Sequence, residues 1–219
     1  MDIIILLLIT LLIYLLPQNK EYLNVKSTSG LRGFLAIGII FHHLSQWVTS
    51  GDEFSNFSYM GTYIVSIFFF LSAYGLYFQN ENKKNYLDNF LVKRLSKILV
   101  PFFSISLIYM FYRFLSGQLM DLDFFANLFK KGSTIIYNGW FVNIIILMYI
   151  FFYISFKFFK NKFISIVINT VFIIGYICLA IKLGYGFWWY NSVFPFIIGL
   201  IWAKNKVKID GVLDRHYFI

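Results

Sequence analysis

The run Trp140-Phe141-Val142-Asn143-Ile144-Ile145-Ile146-Leu147-Met148-Tyr149-Ile150-Phe151-Phe152-Tyr153-Ile154-Ser155-Phe156, with a second apolar run over residues 163–181 close behind it, decides what kind of protein this is. A membrane-crossing helix needs about 20 predominantly apolar residues. The period-two alternation of a barrel strand is absent, so both runs read as helices. Working outward, five further segments of the same character appear at residues 3–16, 31–48, 59–78, 98–116 and 187–203. The expected fold is all-α: one polytopic integral membrane domain spanning 1–219, with about seven transmembrane helices.

Composition agrees. The 219 residues are 59% hydrophobic and 13% charged, with a mean hydropathy of +0.71. A soluble domain is about 45–50% apolar and about 25% charged. A water-soluble globular domain, a disordered chain and a disulfide-stapled secreted fold are therefore excluded. The one cysteine, Cys178, cannot form an intramolecular disulfide and says nothing about redox compartment. The first segment follows Met1-Asp2 with no positive region ahead of it. Pro17-Gln18-Asn19-Lys20 is not a small-residue cleavage site, so a retained span is expected there rather than a signal peptide.

A net charge of +9 raises the question of nucleic acid, and the placement of the charges answers it. Lys20, Lys26 and Arg32 lie between the first two segments, and Lys83, Lys84, Lys93, Arg94 and Lys97 between the third and fourth. Lys157, Lys160 and Lys162 separate the fifth and sixth, and Lys204, Lys206, Lys208 and Arg215 follow the seventh. Asp52, Glu53, Asp121, Asp123, Lys130, Lys131 and Lys182 fall in the alternate connections. By the positive-inside rule this pattern predicts an outside N-terminus and a cytoplasmic C-terminus. The basic residues are then anchors on membrane lipid, worth about 1 kcal/mol per charge, and no nucleic-acid partner is expected.

Ionisable groups within a span are costly and are functional candidates by default. Arg32 and His43 in the second segment are eleven positions apart. At about 100° per residue that spacing is three turns plus roughly 20°, so both point from one face, about 16 Å apart along the axis. Arginine offers a permanently charged planar fork for phosphate or carboxylate, and histidine exchanges protons near neutral pH. A phosphorylated donor at Arg32 and proton transfer deeper in at His43 fit both chemistries; a snorkelling anchor and a histidine bonded across helices are the alternatives. His42, about 100° around, is expected to face a neighbouring span. Arg113 is expected to snorkel or to pair with Asp121 or Asp123. No His/Cys/Asp/Glu cluster has metal-ligand spacing, and no Gly-rich phosphate loop is present.

Ser29-Gly30-Leu31-Arg32-Gly33-Phe34-Leu35-Ala36-Ile37 followed by His43 resembles the opening motif of the family-3 membrane acyltransferases, whose arginine and histidine are likewise separated by ten residues. Phe68-Phe69-Phe70-Leu71-Ser72-Ala73-Tyr74-Gly75-Leu76 is similar to that family's aromatic run, with Ala73 where the family has glycine. The stretch Phe90-Leu91-Val92-Lys93-Arg94-Leu95-Ser96-Lys97-Ile98-Leu99-Val100-Pro101 resembles its basic segment, and Gly139-Trp140-Phe141 resembles the tryptophan that opens a later span. The extra first segment and Glu21-Tyr22-Leu23 look more like the exopolysaccharide-associated branch of Gram-positive bacteria.

The resemblance implies acyl transfer, commonly of acetyl, in the bacterial cytoplasmic membrane. The donor would be a cytoplasmic acyl-coenzyme A, acting as substrate rather than bound cofactor, and the acceptor a hydroxyl of a surface glycan or lipid-linked sugar. Arg32 would engage the donor phosphates and His43 would transfer the proton, with His42 as the fallback base. Arg94 would reach a donor phosphate or serve as an interfacial anchor. Ser72 and Tyr74 would donate to a developing oxyanion, or Ser72 would bond its own helix backbone. Trp140 would contact substrate or belong to the interfacial aromatic belt. The chain is expected to lack the family's C-terminal third, so partner polysaccharide-synthesis proteins, a non-catalytic export role and an inactive remnant stand as alternatives.

Overall fold

A computed structural model describes residues 7, 11, 22–48, 53–118, 121–130, 134–136 and 138–216. Seven α-helices follow in order among them: α1 Val25–Trp47, α2 Met60–Asn82, α3 Phe90–Leu115, α4 Leu122–Lys130, α5 Trp140–Phe158, α6 Lys162–Lys182 and α7 Pro195–His216. Two 3-10 turns, Ser55–Phe57 and Phe187–Trp189, precede α2 and α7, and no strand occurs among the described residues. Four stretches are long and apolar enough to cross a membrane: Ser55–Asn82, Phe90–Leu115, Trp140–Phe158 and Lys162–Lys182. Helices α1 and α7 are comparably long but carry charge, Lys26 and Arg32 in one and Lys204 onward in the other. The expected span at 3–16 falls outside the described residues apart from Leu7 and Leu11.

Local chemistry explains the helix boundaries, including those that hydrophobicity misplaces. The helix expected at 31–48 begins at Val25, because the Asn24 side chain caps it and accepts from Ser27 N at 2.8 Å. The one expected at 98–116 begins at Phe90, with Pro101 inside rather than at its entrance. The segment expected at 187–203 becomes helical only at Pro195, which has no N–H to leave unpaired at a first helical position. It then runs to His216, with non-helical backbone at Asn205. Helices α3 and α6 end on left-handed glycines in Schellman motifs. Gly117 N donates to Phe114 O and Gln118 N to Arg113 O; Gly184 N donates to Ile181 O and Tyr185 N to Ala180 O.

Cross-chain contacts define two ends of the bundle. At one end Lys162 pairs with Glu81, Lys157 with Asp88 at 3.1 Å, and Tyr22 Oη donates to Asp210 Oδ1 at 2.7 Å. The starts of α1, α3 and α6 therefore lie with the finishes of α2, α5 and α7, and most of the chain's lysines and arginines gather there. At the opposite end the finish of α1 meets the starts of α2 and α5 and the turn before α7. Between the ends is a core of wholly buried side chains, among them Phe69, Phe152, Phe196 and Leu200, with the Phe152 and Phe156 rings stacked at 4.4 Å.

Helices α2 and α7 make the closest crossing. A Cβ built on Gly199 would lie 2.4 Å from Phe70 O and 2.9 Å from Ala73 Cβ. The small residue that brings backbones together here is therefore Gly199 on α7, and the alanine at 73 is accommodated opposite it. The outer faces remain apolar: Leu107, Ile108, Phe111 and Phe114 of α3 are each more than 60% exposed, as a lipid-facing surface requires.

Candidate active site

A cavity of about 730 Å³ opens at the end of the bundle away from the basic cluster. His42 and His43 from α1, Gly61, Thr62 and Val65 from α2, Asn138 and Trp140 at the start of α5, and Trp188, Asn191 and Ser192 ahead of α7 line it. His42 thus meets the neighbouring α2 as its angular position predicts, and it faces the same cavity as His43. Room for it comes from Gly61, where a Cβ would fall 2.4 Å from the His42 ring. The two imidazole centroids are 5.3 Å apart.

The polarity of the hydrogen bonds can be followed from one fixed point. The carbonyl of Phe57 can only accept, so at 3.2 Å it takes the proton on His42 Nδ1. In the neutral ring, His42 Nε2 then accepts from Gln46 Nε2 at 3.2 Å. This orients the amide, and Gln46 Oε1 accepts from Asn138 Nδ2 at 3.1 Å. The second Asn138 hydrogen reaches His43 Nδ1 at 3.0 Å, while Gln46 Oε1 stands 3.3 Å from the same nitrogen. His43 Nδ1 is therefore flanked by one donor and one acceptor. Accepting from Asn138 leaves the ring hydrogen on Nε2; donating to Gln46 frees the Nε2 lone pair. Both neutral tautomers are partnered, which equips His43 to take up and return a proton at Nε2.

Asn138 holds this place through an unusual backbone. Its φ of 62° lies in the left-handed region, which asparagine tolerates better than most residues. Around the remaining wall, Asn191 Nδ2 donates to Thr62 Oγ1 at 3.2 Å, and the buried Ser192 Oγ has no hydrogen-bond partner among the described residues. No group of three His, Cys, Asp or Glu residues able to hold a metal occurs among the described residues.

Of the residues anticipated from sequence, the fold brings His42, His43 and Trp140 together at this cavity and leaves four elsewhere. Arg32 is exposed on α1, about 16 Å along the axis from His43, and does not line the cavity. Thr28 and Leu35, four positions before it and three after, are buried, while other sides of the helix are open, with nothing within 4 Å of a Cβ built on Gly30 or Gly33. Arg94 is held by Tyr86 at the basic end, donating to the phenol from Nε at 3.1 Å and also from Nη2. Burial raises the Tyr86 pKa, and the neighbouring guanidinium offsets only part of that. Ser72 is half-buried on α2, and Tyr74 is buried there with its ring stacked on Phe78 at 6.3 Å. Neither lines the cavity.

Gln46 and Asn138 were not anticipated. Gln46 was legible, since it lies three and four positions beyond the histidines on one helical face. Asn138 is 95 residues from His43 and carries no local signal beyond preceding Gly139-Trp140.

These features define a helical membrane protein with a histidine-lined cavity near one end of its bundle. Residues 25–219 match acyltransferase family 3, described as an acyltransferase domain, and the chain belongs to that family. No curated protein and no solved structure matches it.

Proposed function

We propose that the protein is an O-acyltransferase of the bacterial cytoplasmic membrane. It moves an acyl group, in this reading acetyl, from cytoplasmic acyl-coenzyme A to a hydroxyl of a surface or lipid-linked polysaccharide. The observation that carries the reading is the two-sided partnering of His43 Nδ1 inside a cavity large enough for a substrate. In the step proposed, the acceptor oxygen bonds to the thioester carbonyl carbon as its proton passes to His43 Nε2. Collapse of the tetrahedral intermediate breaks the carbon–sulfur bond, and the proton returns to the departing thiolate. Throughout this step Nδ1 keeps its hydrogen and donates it to Gln46 Oε1, an oxygen that Asn138 Nδ2 steadies by donating to it.

The charge asymmetry supports an orientation with the basic end in the cytoplasm. Arg32 then lies on the donor side, where its guanidinium, without an ion-pair partner among the described residues, is suited to the coenzyme phosphates. The donor's flexible arm would cover the roughly 16 Å rise to His43. The test is transfer of labelled acetyl from acetyl-coenzyme A in membranes containing the protein. His43→Ala should lower kcat by about 10²–10⁴-fold, the usual worth of general acid–base catalysis, with insertion intact; unchanged transfer would remove His43 from the mechanism. Arg32→Ala should raise the donor KM and leave kcat less affected. Equal donor affinity in the two proteins would count against its role.

A further inference from the structure

A second cavity, of about 650 Å³, adjoins the first and shares Asn138, Trp140 and Trp188 with it. Tyr109, Phe124, Tyr185 and Trp189 add further aromatic faces beside aliphatic ones from Leu128 and Ile136, and among the described residues one cation lines it, Arg113 from the last turn of α3. The Arg113 guanidinium lies 4.8 Å over the Phe124 ring. Its Nε is buried without a hydrogen-bond partner, and it forms no ion pair with Asp121 or Asp123 among the described residues.

The rings around it are braced. Trp188 packs onto Gly186, where a Cβ would fall 2.3 Å from the indole; Trp189 lies 6.2 Å from Trp140 and 5.0 Å from Tyr185. Tyr176 Oη donates to Trp189 O at 2.7 Å and pins the turn that carries both tryptophans.

A charge drawn into such surroundings is costly unless an opposite charge meets it. An arginine fork is matched in shape to a carboxylate or phosphate. Fixed aromatic faces with polar edges are flat, rigid surfaces suited to the apolar faces of sugar rings. We propose that this cavity is the acceptor subsite and that it selects an anionic sugar. The oxyanion of a uronic acid or a sugar phosphate sits on Arg113, the rings lie on the tryptophans, and the neighbouring hydroxyl passes the Asn138–Trp140–Trp188 boundary toward His43. The proposal rests on the reading of the acceptor as a glycan, but its test is of binding alone.

Purified protein in phosphatidylcholine nanodiscs is titrated with tetragalacturonate, glucose 1-phosphate and neutral maltotetraose, with tryptophan fluorescence as the readout. At least one anionic sugar is expected to bind ten-fold or more tighter than the neutral one, and only its affinity should fall as salt is raised. The carboxylate and phosphate arms identify which anion is preferred. Arg113→Gln should abolish the preference and Arg113→Lys should keep part of it; the salt series on the unmodified protein stands even if a variant folds poorly. Equal binding of charged and neutral sugars, no binding of either, or a preference that survives in Arg113→Gln overturns the proposal. So does displacement of the anionic sugar when phosphatidylglycerol is added to the nanodisc, which would make Arg113 a lipid-headgroup anchor. Any of these leaves the role of His43 standing, whereas failure of the His43→Ala transfer test leaves the sugar preference intact.

Discussion

At the residue scale, the proposed role of His43 in proton transfer turns on the arrangement around its Nδ1. A donor at 3.0 Å and an acceptor at 3.3 Å meet the same nitrogen, so either neutral tautomer finds a partner there. Asn138→Gly isolates the contribution of the amide, because glycine adopts the φ of 62° without strain. The variant should fold normally and keep its donor KM while kcat drops by about tenfold, a fraction of what general acid–base catalysis supplies. A purely structural role would leave the pH–rate profile in place. Loss of the Nδ1 donor instead shifts the limb that reports His43, and measuring that profile decides between them. The spacing of Arg32 and His43 was legible because it lies within one helix, where geometry fixes rotation and rise. That the two reside in different surroundings was not, since the angular position of a side chain does not reveal which neighbour packs beside it.

At the scale of elements, the crossing of α2 and α7 bears most on where the site sits. Helix α2 carries Gly61 and Thr62 into the cavity, and α7 follows directly from the turn that supplies Asn191 and Ser192. Gly199→Ala drives a methyl group toward the Phe70 carbonyl, and the backbone cannot yield as a side-chain tip would. The expected cost is about 1–3 kcal/mol of overpacking, read as a lowered thermal midpoint in detergent. Gly175→Ala on α6 is the control. Nothing lies within 4 Å of a Cβ there, so helix propensity should make it neutral or stabilising by up to about 1 kcal/mol. Hydrophobic runs located the helices but misplaced their starts at residues 31, 98 and 187. The Asn24 cap sets the first of those starts and Pro195 at a first helical position the last, and hydropathy registers neither; the start at Phe90 has no side-chain cap.

For the whole molecule, the division into a basic end and a histidine end organises both stability and the proposed chemistry. At the basic end Tyr22, Trp202, Lys206 and Asp210 join the lead-in of α1 to the far part of α7: Trp202 Nε1 donates to Tyr22 Oη at 3.1 Å, and Lys206 Nζ to Asp210 Oδ2. Burial raises the Asp210 pKa, but hydrogen bonds from Lys206 and Tyr22 outweigh it and hold the carboxyl below its ordinary 3.8. A depressed folded-state pKa contributes stability above the unfolded value and loses it as pH falls through the folded one. This junction should therefore persist at neutral pH and loosen only below about pH 4. Asp210→Asn should remove the pH dependence from protease access to the α1 lead-in; an unchanged profile would show that the carboxylate is not what holds it. The amino-acid order alone established an all-helical membrane protein, the segregation of its charges and the placement of Arg32 and His43 on one helix, because each follows from local periodicity and the cost of burying charge in lipid. Tertiary packing decided that His42 shares the cavity, that Arg94 is occupied by Tyr86, and that Asn138 reaches across 95 residues to His43. Those contacts depend on which faces of separate helices are pressed together, and no spacing along one chain specifies that.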